Sequence, residues 1–235
     1  MPTKSKRDII YILKDKMDTD ELRYSLRSVE KNFPHRFVWF VGGQPKGFKP
    51  DRAIPHKQEG ALKWELIRSS MYKAVENEEL SDEFFLFNDD FFIMKPVKGE
   101  WKNFVDMTLS ERIEELKLEN PWLNIYGRTL FKAEQELLSL GAPTMNYDVH
   151  LPMLFKKSEV VEAIKQCSSP QMRSVYGNVT RSPFKVRPDV KVYDMDTVPE
   201  DPDFLSTNDK VFTDGRVGAY IREKFPTPCK YEGEG

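Results

Sequence analysis

Short apolar runs alternate with amphipathic stretches along the first part of the chain. Residues 8–13 read Asp-Ile-Ile-Tyr-Ile-Leu and residues 37–41 read Phe-Val-Trp-Phe-Val, and both runs are typical of buried strands. Between them, Leu22, Leu26 and Val29 recur at helical spacing behind an acidic first turn, which predicts a helix. The order strand–helix–strand predicts a βαβ unit and a parallel sheet.

The same alternation continues to about residue 100. Residues 44–60 predict a loop, residues 61–77 a helix, and the Phe-Phe-Leu-Phe run at 84–87 a third buried strand. That run continues directly into Asn-Asp-Asp at 88–90 and then into a second apolar run at 91–94. We therefore expect an α/β fold with a Rossmann-like, mixed but mainly parallel sheet flanked by helices.

The rest of the chain predicts further helices and two stretches of opposite charge. Residues 101–140 predict two helical pieces, and residues 159–166 and 214–224 predict one helix each. Residues 173–191 are basic, with Asp189 as their one acid, and the stretch that follows is acidic. We expect one domain, with a donor-binding part at about 8–100 and an acceptor-binding, catalytic part at about 101–235.

Composition excludes several classes of protein. The chain has 235 residues, 36 Lys and Arg against 38 Asp and Glu, and a net charge of −2, so it carries no global basic field for nucleic acid. Its 2 cysteines form no metal-binding cluster, and few cysteines favour a reducing compartment. No apolar stretch is long enough to span a membrane. These features predict a soluble cytoplasmic protein.

The strongest local signal for chemistry is Asn88-Asp89-Asp90 at the end of an apolar strand. In open α/β sheets, ligands bind beyond the carboxyl ends of the strands. Two adjacent carboxylates can hold a divalent cation, which neutralises a diphosphate. The alternative is an ordinary turn, because Asn and Asp favour turns. Two like charges between two apolar runs are costly unless a cation or donors offset them, which favours a metal site.

Other polar residues have both a functional and a structural interpretation. His150 could take a proton from an acceptor hydroxyl, or it could be a structural histidine. Arg23 and Arg27, one helical turn apart, could bind phosphate or lie on a solvated face. Arg173 could bind an anion or form a salt bridge. The pair at 208–209, Asn208 and Asp209, is by itself typical of a helix cap.

Several segments, in this order, resemble the Stealth family, which includes bacterial capsular polysaccharide hexose-1-phosphate transferases and the animal GlcNAc-1-phosphotransferase. Residues 20–31 resemble the family's D-E-L-R-Y-S-L-R-S-I-E-K almost letter for letter, and residues 80–92 resemble its L-S-E-x-F-x-Y-F-N-D-D-x-F. Weaker matches are a first strand at 8–15, which lacks the family's Trp and Gly, a His-x-Pro at 150–152, and an F-R-S-like Met-Arg-Ser at 172–174. Residues 206–209 and 225–232 resemble the fourth and last characteristic region of the family. The chain departs from the family at the helix start at 61–65.

The resemblance implies a glycosyltransferase-A-like fold, a nucleotide-sugar donor, commonly a UDP-sugar, and Mg²⁺ or Mn²⁺. It implies that His150 is the acid or base and Arg173 a phosphate clamp, with Asp90 at the reacting diphosphate. We expect the metal ligands to be Asp89, Asp90 and Asp209. The residues expected to contact the donor are Asp15, Arg23, Arg27, Asn88, Asp89 and Asn208.

The residue types leave the reaction open. Attack of an acceptor hydroxyl on the β-phosphorus would transfer sugar-1-phosphate, and attack on the anomeric carbon would transfer the sugar alone; the resemblance favours the first. The acceptor could be a saccharide, a polymer end or a hydroxylated base of phage DNA, which the basic stretch 173–191 could follow. Two rivals are a non-catalytic carbohydrate- or nucleotide-binding module and a metal-dependent hydrolase that uses the same carboxylates.

Overall fold

A computed structural model gives the fold over residues 7–14, 20–57, 63–120 and 124–233. The strands are β1 (Asp8–Leu13), β2 (Val38–Gly42), β3 (Arg52–Pro55), β4 (Glu83–Phe87), β5 (Phe91–Ile93), β6 (Asn103–Val105), β7 (Met153–Lys156), β8 (Phe184–Val186) and β9 (Phe204–Ser206). The helices are α1 (Asp20–Asn32), α2 (Lys63–Glu76), α3 (Leu109–Glu119), α4 (Ile125–Ser139), α5 (Lys157–Gln166), α6 (Met172–Val179), α7 (Asp209–Asp214) and α8 (Arg216–Lys224).

The central sheet has five strands in the order β3-β2-β1-β4-β7. The first four run parallel, and β7 pairs antiparallel with β4. Two short ladders, β5 with β9 and β6 with β8, lie outside this sheet. Because β1, β2 and β4 are parallel neighbours, their carboxyl ends meet at one edge of the sheet, which is where the candidate site lies.

Alternation along the strands places a separate core on each face of the sheet. Ile9, Tyr11 and Leu13 of β1 pack with the Leu22 and Leu26 stripe of α1. Residues of the opposite parity in β1, β2 and β4 pack against α2, α4, α5 and α6, and this second core includes Ile10, Trp39, Val41, Phe84 and Leu86. The sheet is therefore covered by helices on both faces, as expected for a parallel sheet.

The structure confirms the predicted fold class, a mixed and mainly parallel α/β sheet flanked by helices. It also corrects several boundaries. The predicted loop at 44–60 contains β3, an exposed edge strand without an apolar pattern, and the predicted helical region at 101–140 contains β6. The predicted helix at 214–224 begins at Arg216, because Gly215 separates it from the shorter helix α7.

The basic stretch 173–191 begins inside the buried helix α6. The helix predicted at 159–166 begins two residues earlier, at Lys157, directly after β7. In the parts of the chain that the structure describes, no helix is both long and apolar enough to cross a membrane.

Candidate active site

The Asn88–Asp90 turn lies at the carboxyl end of β4 and connects it to β5. The amide of Phe91 donates to the carbonyl of Asn88 at 3.3 Å, which closes the turn. The chain then leaves the central sheet, because β5 pairs with β9 instead. The turn therefore carries its two carboxylates out of the sheet beside the ends of β1 and β4, as the sequence predicts.

Asp90 is a largely buried carboxylate with one unsatisfied oxygen. Its Oδ2 accepts hydrogen bonds from Lys191 Nζ at 2.9 Å and from Ser206 Oγ at 3.1 Å. Its Oδ1 is buried and has no hydrogen-bond partner among the residues that the structure describes. A buried acceptor without a partner costs about 1–3 kcal/mol, so a donor or a cation at Oδ1 would be stabilising.

An acidic pocket of about 350 Å³ opens next to Asp90. Five acidic side chains line it, and Lys14 and Lys191 are the basic residues in its lining. The acids are Asp20, Glu21, Asp89, Asp90 and Asp209. Thr207 Oγ1 donates to Oε1 of Glu21 at 2.7 Å. The pKa of Glu21 is raised to about 8, chiefly by burial and in smaller part by the charges of Asp90, Asp89 and Asp209, while the hydrogen bond from Thr207 opposes the rise. The pocket therefore favours positive charge.

A second pocket lies on the other side of Asp89. Its polar wall contains Asn88, Asp148, His150 and Arg173, and its apolar wall consists of Ile12, Leu66, Ile67, Leu86 and Met172. Ile12, Lys14 and Asp89 line both pockets. A ligand that extends across Asp89 would reach the acidic cluster at one end and His150 at the other.

His150 is held in an unusual backbone conformation at the second pocket. Its φ is +47°, a left-handed value that non-glycine residues seldom adopt. Its Nδ1 lies 2.7 Å from Oδ2 of Asp189, and its ring stands edge-on to Phe91 at 6.4 Å between centroids. The histidine is therefore fixed from two sides rather than exposed on a loop.

Arg173 is a buried cation whose hydrogen bonds go to uncharged acceptors. Its guanidinium donates to the carbonyl of Leu151 at 2.8 Å and to Oδ1 of Asn88 at 3.0 Å, and it lies 5.2 Å from the ring centre of Phe91. Burial lowers its pKa, and the charges of Asp148 and Asp90 partly oppose that effect. No described carboxylate forms an ion pair with it, so an anion in the pocket would be attracted to it.

Asn208 and Asp209 lie at the beginning of α7. Oδ1 of Asn208 accepts a hydrogen bond from the amide of Val211 at 2.9 Å, which makes Asn208 the N-cap. Both residues also line the acidic pocket. Asn208 therefore caps the helix, as the pair by itself indicates, and the start of this helix also places Asp209 at the acidic pocket.

Arg23 and Arg27 lie elsewhere. Both donate to Glu232, with Arg27 forming a pair of bonds at 2.7 and 2.8 Å and Arg23 one at 2.7 Å. These contacts anchor the C-terminal segment to α1, and neither arginine lines the two pockets. The predicted contact with a donor phosphate is not supported by their position. Asp15 lies outside the described residues.

Several charged residues that the structure places at the site were not predicted from the sequence. Glu21 and Lys191 line the acidic pocket, Asp148 lines the second pocket, and Asp189 contacts His150. Lys191 and Asp90 are 101 positions apart in the chain, so periodicity carries no signal for their contact. The sequence shows that Asp189 is the one acid in a basic stretch, but it does not show that Asp189 contacts His150.

The described residues contain no group of three or more His, Cys, Asp or Glu side chains arranged to hold a metal ion. A complete protein cage for Mg²⁺ or Mn²⁺ is thus not formed within them. Mg²⁺ is commonly held by one or two carboxylates together with substrate phosphates. The unsatisfied Oδ1 of Asp90, beside Asp89, fits that mode of binding.

Comparisons with known proteins give only distant similarities. No protein-family model matches the chain, and no curated protein matches it significantly. The resemblance to the Stealth family therefore rests on the sequence motifs alone.

Three solved structures illustrate the distance. The galactosyltransferase LgtC, in complex with donor and acceptor sugar analogs, is 13% identical, with a TM-score of 0.40 over 95% of this chain and 98% of that one. The 4-diphosphocytidyl-2C-methyl-D-erythritol synthase is 12% identical, with a TM-score of 0.37 over 79% of this chain and 90% of that one. The apo form of the glycosyltransferase GlyE from Streptococcus pneumoniae TIGR4 is 11% identical, with a TM-score of 0.28 over 44% of this chain and 29% of that one.

Proposed function

We propose that the chain is a transferase that takes a nucleotide-sugar donor and transfers sugar-1-phosphate, or the sugar alone, to an acceptor hydroxyl. The observation that supports this most is the unsatisfied, buried oxygen of Asp90 at the edge of a parallel sheet. Around it, acids lie on one side of Asp89, and Arg173 and His150 lie on the other. That arrangement suits a substrate with a cation-bound diphosphate and a reacting hydroxyl.

In this proposal the protein's own residues bind, orient and exchange a proton. Asp89 and Asp90 would hold Mg²⁺ or Mn²⁺, with Asp209 as a further acid, and the ion would neutralise the diphosphate. Arg173 attracts the donor's phosphate oxygens, and Asn88 orients the Arg173 guanidinium. Fixed charges of this kind stabilise the transition state without reorganisation.

His150 then accepts the proton of the acceptor hydroxyl. In the phosphoryl route, the acceptor oxygen bonds to the β-phosphorus, the bond from that phosphorus to the bridging oxygen breaks, and the nucleoside monophosphate leaves. In the glycosyl route, the oxygen bonds to the anomeric carbon and the nucleoside diphosphate leaves. The sequence resemblance favours the first route, with a saccharide or polymer end as acceptor. A DNA acceptor and a cytoplasmic location stay predictions.

The test is a screen of UDP- and other nucleotide-sugars with Mg²⁺ or Mn²⁺ and saccharide acceptors, with the released nucleotide identified by mass. Release of UMP supports sugar-1-phosphate transfer, and release of UDP supports transfer of the sugar. Sugar phosphate released without any acceptor would indicate the hydrolase instead.

Asp89→Asn is the site variant for that screen, and Asp82→Asn is its control, because Asp82 lies exposed at the other end of β4. Turnover should be lost in the first variant and kept in the second. Donor binding with no product under any condition would favour the non-catalytic module and contradict the proposal.

A further inference from the structure

Residues 189–191 touch two residues of the candidate site at once. Asp189 contacts the imidazole of His150 at 2.7 Å, and Lys191, two positions later, contacts the carboxylate of Asp90 at 2.9 Å. We propose that Asp189 is a positioning residue that keeps the proton of neutral His150 on Nδ1 and leaves Nε2 to accept the proton of the acceptor hydroxyl. This inference rests on the proposed function only in the role that it gives to Nε2.

The hydrogen-bond chemistry fixes which nitrogen carries the proton. An ionised carboxylate only accepts hydrogen bonds, so the nitrogen that faces it must donate. Nδ1 is that nitrogen. A neutral imidazole has one N–H, so the other nitrogen, Nε2, then carries the lone pair. A charge-assisted hydrogen bond is about twice as strong as a neutral one, which is enough to bias the tautomer.

Asp189 is itself fixed by the backbone. Its Oδ1 accepts a hydrogen bond from the amide of Lys191 at 3.1 Å, which leaves Oδ2 for His150. The segment is tied to β9 by two further bonds, from the amide of Ser206 to the carbonyl of Val190 at 3.2 Å and from the amide of Val192 to the carbonyl of Ser206 at 2.8 Å. A carboxylate held in this way restrains its partner more than one on a free loop.

His150 is restrained from its own side as well. Its left-handed backbone costs free energy and persists only where surrounding contacts enforce it. Val149 and Leu151, its neighbours in the chain, are both buried, so the histidine cannot swing away with its segment. The side chains of His150 and Asp189 are 22% and 30% exposed, which leaves the pair partly accessible from the pocket.

The rival explanation is a simple ion pair between a protonated His150 and Asp189. Such partly exposed pairs contribute little to stability, and in this case the contact would be lost when the ring becomes neutral, so the neutral imidazole would show no preference for Nδ1–H. The two explanations therefore differ in the state of the neutral imidazole, which can be observed directly.

Imidazole ¹⁵N NMR of the full chain at a pH where the ring is neutral tests the inference without any substrate. The chain has 3 histidines, and a His150→Gln variant assigns the His150 signals by their disappearance. We expect the Nδ1–H tautomer of His150 to exceed the other by at least about tenfold. In Asp189→Ala, that excess should disappear.

Two controls separate positioning from damage to the fold. His35 bonds to Phe33 and Tyr231, away from this segment, so its signals should not change in Asp189→Ala. Asp196→Asn, an exposed acid in the following stretch, should leave the His150 tautomer unchanged. An Nε2–H tautomer in the unmodified protein, or an unchanged His150 pattern in a folded Asp189→Ala, would overturn the inference.

A kinetic arm applies once a donor and acceptor are found. Asp189→Asn should lower kcat at least about tenfold with little change in KM for the donor, and Asp189→Glu should restore part of the rate. An unchanged kcat in Asp189→Asn would overturn the positioning role even if transfer itself is confirmed. If instead no donor is ever turned over, the tautomer measurement still decides the positioning, and only the proposed function fails.

Discussion

Asp8, which is buried, and Asp90, which is largely buried, lie near opposite ends of the central sheet, and their surroundings differ. Asp8 begins β1 at the amino-terminal edge, is fully buried, and has both oxygens satisfied by the protein. Its donors are the Arg36 guanidinium with two bonds at 2.8 and 2.7 Å, the Trp39 indole at 3.0 Å, and the amides of Phe37 and Ser81 at 3.2 and 2.9 Å.

Asp90 lies beyond the carboxyl-terminal edge, and its hydrogen-bond partners within the described parts of the chain are Lys191 and Ser206, which both bind the same oxygen. Its other oxygen is unsatisfied. The protein thus completes the surroundings of Asp8 by itself and leaves those of Asp90 incomplete. Because an unsatisfied buried oxygen is costly, the difference indicates that Asp8 serves the fold, and it supports the proposal that Asp90 binds a ligand.

The largest expected effect is the loss of turnover in Asp90→Asn. If Asp90 helps to hold the cation that neutralises the donor diphosphate, its loss should lower kcat/KM at least about 100-fold, as for other preorganised electrostatic groups. The melting temperature should change by less than about 5 °C, because losing the Lys191 contact is offset by less repulsion within the acidic pocket. Steady-state kinetics and calorimetry give the two values. A variant that keeps its turnover would refute the role of Asp90.

Asp8→Ala should show the reverse pattern, with a large loss of stability and normal turnover in the molecules that remain folded. Removing one partner of a buried ion pair costs roughly 3–5 kcal/mol, and we expect the lower end because the Arg36 side chain is 37% exposed. Urea unfolding measures the difference. Asp82→Asn is the control, and an Asp8→Ala protein as stable as the control would remove the distinction between the two ends of the sheet.

The fold could be predicted from the sequence where burial and periodicity coincide. The runs at β1, β2 and β4 are apolar, and α1 carries its stripe at helical spacing, so local pattern and tertiary position agree. β3 and β8 lie at exposed positions, and nothing in their residues distinguishes them from loop. Tertiary pairing alone makes them strands.

At the site, the residues whose position could be predicted from the sequence are those that directly follow a predicted strand or helix. Asn88, Asp89 and Asp90 follow a recognisable strand, so their place at the sheet edge could be predicted. Glu21 lies on α1. The sequence pattern of this helix predicts which of its residues face the core, but it does not predict which residues from distant parts of the chain lie next to Glu21. Its raised pKa comes from burial and from acids about 70 to 190 positions away, which only the folded structure brings together.

Glu21→Gln sharpens the comparison through the pH dependence of stability. Burial raises the folded-state pKa of Glu21 to about 8, whereas the unfolded value is about 4.3. Between these two pH values the folded protein retains a proton that the unfolded chain has lost. Stability therefore falls as pH rises through this window, by up to about 1.4 kcal/mol per pH unit.

In Glu21→Gln this contribution should be absent, so the variant should gain stability relative to the unmodified protein as pH rises from about 5 to 8. Denaturant unfolding at several pH values measures it. Glu79→Gln, a change at an exposed acid on the far side of the sheet, should leave the slope unchanged. Parallel pH profiles for Glu21→Gln and the unmodified protein would show that Glu21 is not held neutral by the acidic pocket.

Glu232 provides a second satisfied carboxylate and the smallest expected effect. Burial alone would raise its pKa, but the hydrogen bonds from Arg27, from the amide of Cys229 and from Arg23 outweigh burial and lower the pKa to about 2. The stability that this acid contributes is present above the unfolded value of about 4.3 and is lost as pH falls toward 2.

Glu232→Gln should therefore be less stable than the unmodified protein at pH 6 and nearly equal to it at pH 2–3. Denaturant unfolding across that range, with Glu79→Gln as the control, measures the convergence. If the difference persists at the lowest pH, Glu232 contributes through packing rather than through its charge, and it does not belong with Asp8.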